Sequence, residues 1–343
     1  RVFVYHVGVR WKLADEEDSS PQGALFAEDE VVERHVGTGE YRGLEFLHVR
    51  ARSVLNRVPG GERMGFRWTV NPYRGCSHSC VYCFARPTHE YLGLGTGRDF
   101  DTKIVVKVNA VERLRAELSA RRWAGELIAM GTNTDPYQRC EGKYRLTQGI
   151  VRTLAEFANP FSILTKSTLI LRDLPLLVEA ARRTSVRVNF SIGTLDEAVW
   201  KATEPGTPHP RRRVEAVRRI NEAGIPCGVL VAPVIPGMSD APHQLEEVVG
   251  ACADAGAVTV SAIPLHLRRG VKEHWMAWVR TARPDLVDLH TSTYRGAYAP
   301  KPVAEAIEAA ARRRAPRSRR DERPRPHPVL DMDTEPPMQG TLL

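Results

Sequence analysis

Three cysteines within eight residues are the feature of this sequence best suited to chemistry: Asn71-Pro-Tyr-Arg-Gly-Cys76-Ser-His-Ser-Cys80-Val-Tyr-Cys83. Thiolates are soft ligands that favour iron–sulfur clusters or zinc over hard cations. A loop of this length can wrap Cys76, Cys80 and Cys83 around one small cluster, and Gly75 lets the chain turn sharply into it. A structural zinc site takes four protein ligands, and so does a fully ligated [4Fe–4S] cluster. Three thiols therefore leave one metal position for a substrate or cofactor. A closed zinc clasp would have to recruit His78, His89 or the distant Cys140. Against it, His78 lies inside the loop, and no second Cys/His pair follows at zinc-finger spacing.

Composition bounds what can surround this loop. The 343 residues are 42% hydrophobic and 26% charged, enough apolar material for a sizeable core and unlike a disordered or fibrous chain. The longest apolar stretch, 228–238, is about half a bilayer span and contains Pro233 and Pro236, so no transmembrane helix is expected. No signal-peptide pattern opens the sequence, although the first residue is Arg1 and a targeting segment could precede it. Clustered rather than dispersed cysteines suggest a reducing, cytoplasmic setting. The net charge is +8, but eight Arg between 312 and 325 against Asp321 and Glu322 supply +6 of it. That segment reads as a solvated tail able to bind polyanions without sequence specificity.

The elements that must position the loop follow from periodicity. Residues 1–60 are polar and irregular and read as an N-terminal extension packed on the main domain. Beyond Gly65, β-branched runs at 66–70, 127–130, 161–165, 186–192, 226–234 and 258–263 alternate with amphipathic helical stretches at 110–122, 146–158, 172–183, 211–223 and 243–255. Such spacing fits repeated βαβ units, which build a parallel α/β sheet, either an open barrel or a doubly wound sheet. Ligands then gather at the C-terminal ends of the strands. Helices at 271–280 and 302–314 close the domain, Trp275 and Trp278 reading as core packing. The organisation expected is an extension over 1–60, a core with closing helices over 61–314, and a Pro/Arg-rich disordered tail over 315–343.

The cysteine spacing, with Tyr82 before the last cysteine at the end of the first strand, resembles the radical S-adenosylmethionine (SAM) superfamily, from about Phe66 to Leu267. Gly131-Thr-Asn-Thr-Asp135-Pro-Tyr-Gln, Glu204-Pro-Gly-Thr-Pro208 with Arg213, and Val231-Ala-Pro-Val-Ile235 are similar to the spore photoproduct lyase-like group within it. The resemblance implies a partial (βα)6 TIM-like barrel carrying a [4Fe–4S] cluster on Cys76, Cys80 and Cys83. It implies that S-adenosylmethionine chelates the open iron and is cleaved reductively, giving a 5′-deoxyadenosyl radical that abstracts hydrogen from substrate. A reductant such as flavodoxin or ferredoxin is implied as partner, and the protein is expected to act as a monomer.

The same resemblance assigns residues. Tyr82 lies near the adenine; Asn133, Thr134 and Asp135 surround the methionyl ammonium; Lys166 meets the methionyl carboxylate; Ser191 contacts ribose or methionine. Arg213 could offer a planar fork to a carboxylate, and Ala232 a backbone contact to adenine. Nucleic acid is the implied substrate class, reached through the barrel mouth or the basic tail; RNA, peptide or a small metabolite are alternatives, as is a non-catalytic metal-binding protein. One departure stands out: where the DNA-repairing lyases carry a hydrogen-donor cysteine, this chain has Gly131, and Cys140 follows nine residues later. Cys140 could serve as that donor only from a folded-back loop. Cys227 and Cys252 read as buried small hydrophobes, and Arg268 and Arg269 as residues at the substrate mouth.

Overall fold

Six short apolar runs buried on both faces dictate the frame, because strands of that kind are stable only when helices cover them. A computed structural model describes residues 31–58 and 65–312. Its strands are β1 (Val31–Val36), β2 (Glu45–Val49), β3 (Leu55–Arg57), β4 (Trp68–Val70), β5 (Tyr73–Arg74), β6 (Lys103–Lys107), β7 (Ile128–Met130), β8 (Phe161–Thr165), β9 (Val186–Ser191), β10 (Cys227–Val234) and β11 (Val260–Pro264). The main sheet runs β11-β10-β9-β8-β7-β4-β3. Its six strands from β4 to β11 are parallel and neighbour one another in chain order, while β3 pairs antiparallel with β4 at one edge. This is the expected partial (βα)6 barrel: an open sheet with one crossover after another in the same direction.

The crossover helices lie where the 3.6-residue period places them, at Ala110–Leu118, Leu146–Glu156, Leu174–Arg183, Pro210–Glu222 and Pro242–Asp254. Each turns its apolar stripe to the sheet. Ile150, Val151 and Leu154 of one helix and Ala216, Val217 and Ile220 of another join Ile128, Phe161, Val188 and Val229 of the strands in a single core cluster. The helix at Pro210 begins with proline in its first turn, and the His209 imidazole accepts from the Arg211 N–H at 3.2 Å. Val271–Ala282 and Lys301–Arg312 are the two closing helices. Trp275 is buried in a second cluster, stacked on Trp278 at 5.0 Å, as a core pair. None of the described helices is long and apolar enough to cross a membrane.

The structure departs from the sequence reading upstream. Residues 31–57, expected to be irregular, hold three strands, and β6 was not anticipated. Strands β1, β2, β6 and β5 form a separate four-stranded sheet, with β2 parallel to β6 and β1 antiparallel to β2. Leu47, Val49 and Val105 carry this sheet into the main core, and Phe46, Tyr73, Ile104 and Val106 form a cluster of their own. The expected tail, 315–343, and the first thirty residues lie outside the described residues.

Candidate active site

The cysteine loop leaves the C-terminal end of β4, and local backbone bonds give it its shape. Ser79 N–H donates to Cys76 O and Cys83 N–H to Cys80 O, both at 3.2 Å, while Cys76 N–H donates to Phe100 O at 2.9 Å. Gly75 enters with φ +73°, and a Cβ there would meet Lys103 O and Phe100 O at 2.9 Å, so the turn admits no side chain. Buried side chains then clamp the loop from outside. Gln138 accepts from Ser77 N–H at 3.0 Å and donates to Gly75 O at 2.9 Å. Thr134 Oγ1 donates to the same carbonyl at 2.7 Å. Arg86, wholly buried, donates twice to Cys80 O and pairs with Asp101 at 2.8 Å.

All six cysteines are free thiols. Burial raises the pKa of Cys76, Cys80 and Cys83 alike; the nearby Asp135 carboxylate pushes Cys76 further up, and Glu204 does so for Cys80. Cys76 also feels the other two thiols, and Cys80 feels Cys83. All three thiols come from one loop held on both sides by buried side chains.

Opposite the loop, at the ends of β8, β9 and β10, a charged network surrounds Glu204. Its carboxylate accepts from Lys166 Nζ at 2.8 Å, Arg213 Nη2 at 2.5 Å and the Tyr82 hydroxyl. Burial alone would raise the Glu204 pKa, but the charges of Arg213 and Lys166 overcome it and hold the carboxyl below the usual carboxylate range. Lys166 Nζ also donates to Ser191 Oγ at 2.7 Å and to Ala232 O at 3.4 Å, and lies over the Tyr82 ring at 5.6 Å. Backbone bonds staple this network to the cysteine loop: Val81 N–H donates to Thr203 O and Gly206 N–H to His78 O, each at 3.0 Å.

Tyr82, Lys166, Ser191, Arg213 and Ala232 thus converge in the structure, each engaged by protein groups. The Arg213 fork is engaged by Glu204, Thr207, Ser191 O and Pro208 O and secures the network. Ala232 O accepts from Ser191 Oγ at 2.7 Å. Asp135 is likewise filled: it accepts from Thr165 Oγ1, Lys166 N–H and Tyr137 N–H at 2.7 to 2.9 Å and pairs with His78 at 3.4 Å. Burial would raise its pKa, but His78 and these donors bring it below the ordinary value. Its place is that of a brace between β8 and the cysteine loop. Asn133 remains half-buried on the same loop.

Cys140 is where the geometry corrects the reading. It is wholly buried with Leu44, Phe46, Tyr73, Ile104 and Val106, the apolar cluster of the smaller sheet, and not with the cysteine loop. A thiol enclosed there does not meet a substrate at the strand mouth. Cys227 and Cys252 are buried in the main core, as expected.

Residues 70–249 match the family model described as the Radical SAM superfamily. The chain belongs to the radical SAM superfamily. It is 46% identical over 275 residues to the uncharacterized protein Rv2578c of Mycobacterium tuberculosis, covering 80% of this chain and 81% of that one. It is 27% identical over 206 residues to the uncharacterized protein MJ0683 of Methanocaldococcus jannaschii, covering 60% and 73%. In fold it is similar to a spore photoproduct lyase complexed with dinucleoside spore photoproduct, with TM-score 0.56, 17% identity and 78% of each chain covered.

A radical SAM enzyme uses a [4Fe–4S] cluster and S-adenosylmethionine, and the residues present fit both. Three free thiols on one loop are the donor set for three irons, with the fourth left open. For the second group, Asn71 Oδ1 is buried with no hydrogen-bond partner, directly after β4 and beside Thr132; an ammonium donor would satisfy it. Sequence reasoning assigned no role to Asn71, Glu204, Gln138 or Arg86. Each sits in or beside a quoted motif, but only tertiary closure gives it a partner.

Proposed function

We propose that this radical SAM enzyme takes a nucleic-acid substrate across the strand mouth beside the cysteine loop, in the manner of spore photoproduct lyase. The observation that carries this reading is the composition of the rim. Phe84, directly after Cys83, is 48% exposed. Arg268 and the exposed Arg269 lie on a turn that packs against Pro87, where a Cβ on Gly270 would stand 3.0 Å from the proline ring. An exposed aromatic ring and the Arg269 guanidinium, on a turn packed against the segment that follows Phe84, would offer a base a stacking face and its phosphates an anchor. Likeness of fold to a lyase holding a dinucleoside lesion supports the same class of substrate.

When bound, the cluster and S-adenosylmethionine supply the one-electron cleavage that starts hydrogen abstraction. The chain's residues prepare the ground for it. Lys166 would hold the methionyl carboxylate with its ammonium, giving up its long 3.4 Å contact with Ala232 O. Glu204, fixed by Arg213, holds that ammonium in place. Asn71 Oδ1 would accept from the methionyl amine, and the Tyr82 ring walls the space beside Lys166. The buried clamp of Gln138, Thr134 and Arg86 excludes water behind the thiols. Electrons come from a donor of the flavodoxin or ferredoxin type, and free thiols throughout suit a reducing compartment. Cys140 has no part in the chemistry.

The test is isotopic. Cluster-loaded protein, reduced anaerobically, is incubated with oligonucleotides perdeuterated in sugar and base, and 5′-deoxyadenosine is analysed by mass spectrometry. Deuterium enrichment that falls at least tenfold in Phe84→Ala/Arg269→Ala is the expected result. Enrichment from a deuterated peptide or metabolite pool and none from any oligonucleotide would overturn the nucleic-acid assignment.

A further inference from the structure

Away from the mouth, the outer hairpin β1–β2 assembles a second set of metal-binding side chains. Glu33 and His35 are two apart on β1 and so share a face, and the antiparallel register places His48 of β2 opposite Glu33. The ligand atoms of Glu33, His35 and His48 all lie within 4.8 Å of one another. Glu33 Oε2 is 2.9 Å from His35 Nε2 and 3.5 Å from His48 Nδ1. Donors placed tetrahedrally at about 2.1 Å from one zinc ion stand about 3.4 Å apart, so small rotations, chiefly of the exposed Glu33 and half-exposed His35 side chains, close the set on a single centre. We propose that Glu33, His35 and His48 form a binding site for a divalent ion of the zinc type, separate from the cysteine loop and completed by solvent.

Two observations go beyond proximity. His48 Nε2 is held by the Tyr144 hydroxyl at 2.7 Å. With a metal on Nδ1, the Nε2–H donates to that hydroxyl, which fixes the ring and its tautomer as the outer partners of metal-bound histidines do. The His35 and His48 rings also stand 4.4 Å apart, centre to centre, tilted by 48°, so both present nitrogens to one carboxylate. Imidazole and carboxylate together suit zinc and its neighbours, not calcium or magnesium. Lys143, whose ammonium lies 5.3 Å from the Tyr144 ring centre, opposes a cation here; the Glu33 carboxylate offsets it. Because Tyr144 ends the short helix Glu141–Tyr144 that follows the Asp135–Gln138 segment, an ion at this point would pin the hairpin to the stretch that clamps the cysteine loop.

The experiment uses the full chain with its cluster loaded, so that the cysteine loop is already occupied. The protein is dialysed anaerobically against buffered zinc, and zinc and iron are counted per chain by elemental mass spectrometry. One zinc per chain is expected, lost in His35→Ala/His48→Ala with iron content unchanged, and bound at least tenfold more weakly by Glu33→Gln. His35→Ala alone, on the half-exposed face of the hairpin, serves should the double variant fail to fold. Equal zinc in the wild type and these variants, or none in the wild type, refutes the site. Iron content reports the cysteine loop independently, so the two assignments fail separately.

Discussion

Replacing Glu204 with glutamine removes one charge and almost no volume from the centre of the site. Lys166 and Arg213, 2.8 and 2.5 Å from its oxygens, would then be buried against a neutral amide, with the new NH2 group turned toward one of them. Removing one partner of a buried ion pair costs about 3–5 kcal/mol, because the other charge stays desolvated without compensation. For a chain of 343 residues, at about 2.1 cal/mol/K of unfolding entropy per residue, that corresponds to a fall in Tm of roughly 4–7 °C. The pH dependence gives a second reading of the same quantity. Glu204 has a folded-state pKa held below its ordinary 4.5, so its contribution is fully present above pH 4.5 and disappears as the pH falls toward the folded value. The glutamine variant has no such group. Thermal or denaturant unfolding of the two proteins, followed anaerobically from pH 7 to pH 3, should show a constant gap down to about pH 5 that narrows below 4.5. The KM for S-adenosylmethionine should rise with it, since Lys166 loses its anchor. A gap under about 1 kcal/mol at pH 7, or one that widens on acidification, would refute the hub role of Glu204.

Other perturbations test the surrounding frame. Gly131→Cys, which would restore a thiol where the DNA-repairing lyases carry one, should fail to give soluble folded protein: φ is +90° and a Cβ would lie 1.9 Å from Leu164 O, checked by circular dichroism and melting. Gln138→Ala frees Ser77 N–H inside the loop clamp and leaves Gly75 O to Thr134 alone, for a loss of about 1–3 kcal/mol and a lower iron content after reconstitution. Cys76→Ala, Cys80→Ala and Cys83→Ala should each abolish the visible colour and S-adenosylmethionine cleavage, whereas Cys140→Ala should leave both within twofold of wild type. Loss of cleavage in Cys140→Ala with iron content retained would reinstate that thiol.

How much of this was legible in the sequence depends on how far each feature reaches along the chain. The cysteine loop was fully legible, because all three thiols lie within eight residues and their spacing alone sets the ligand count. The six barrel strands were also legible: a strand buried on both faces is a continuous apolar run, and Phe161–Thr165 is observed with the boundaries the run prescribes. Strand β6 escaped because Lys103 and Lys107 bracket only three apolar residues, which read as part of a loop; the fold buries Lys107 all the same, and burial with the nearby Arg74 lowers its pKa to about 7. Strand β1 escaped because an exposed edge strand with the sequence Val-Val-Glu-Arg-His-Val carries no core-facing alternation.

The site itself divides along the same line. Lys166 and Ser191 could be placed at strand ends from periodicity, since the end of a parallel strand is a position the local pattern defines. Glu204 could not be found that way: in Glu-Pro-Gly-Thr-Pro it reads as a turn residue, and its partners lie 38 residues away at Lys166 and 122 away at Tyr82. The same closure holds Arg213 and Asp135 as braces, because a buried cation or carboxylate in a tightly packed site is held first by the protein groups that compensate it. Lys166 keeps one long contact, to Ala232 O, and Asn71 one unpartnered acceptor; the proposed binding of S-adenosylmethionine turns on these two groups.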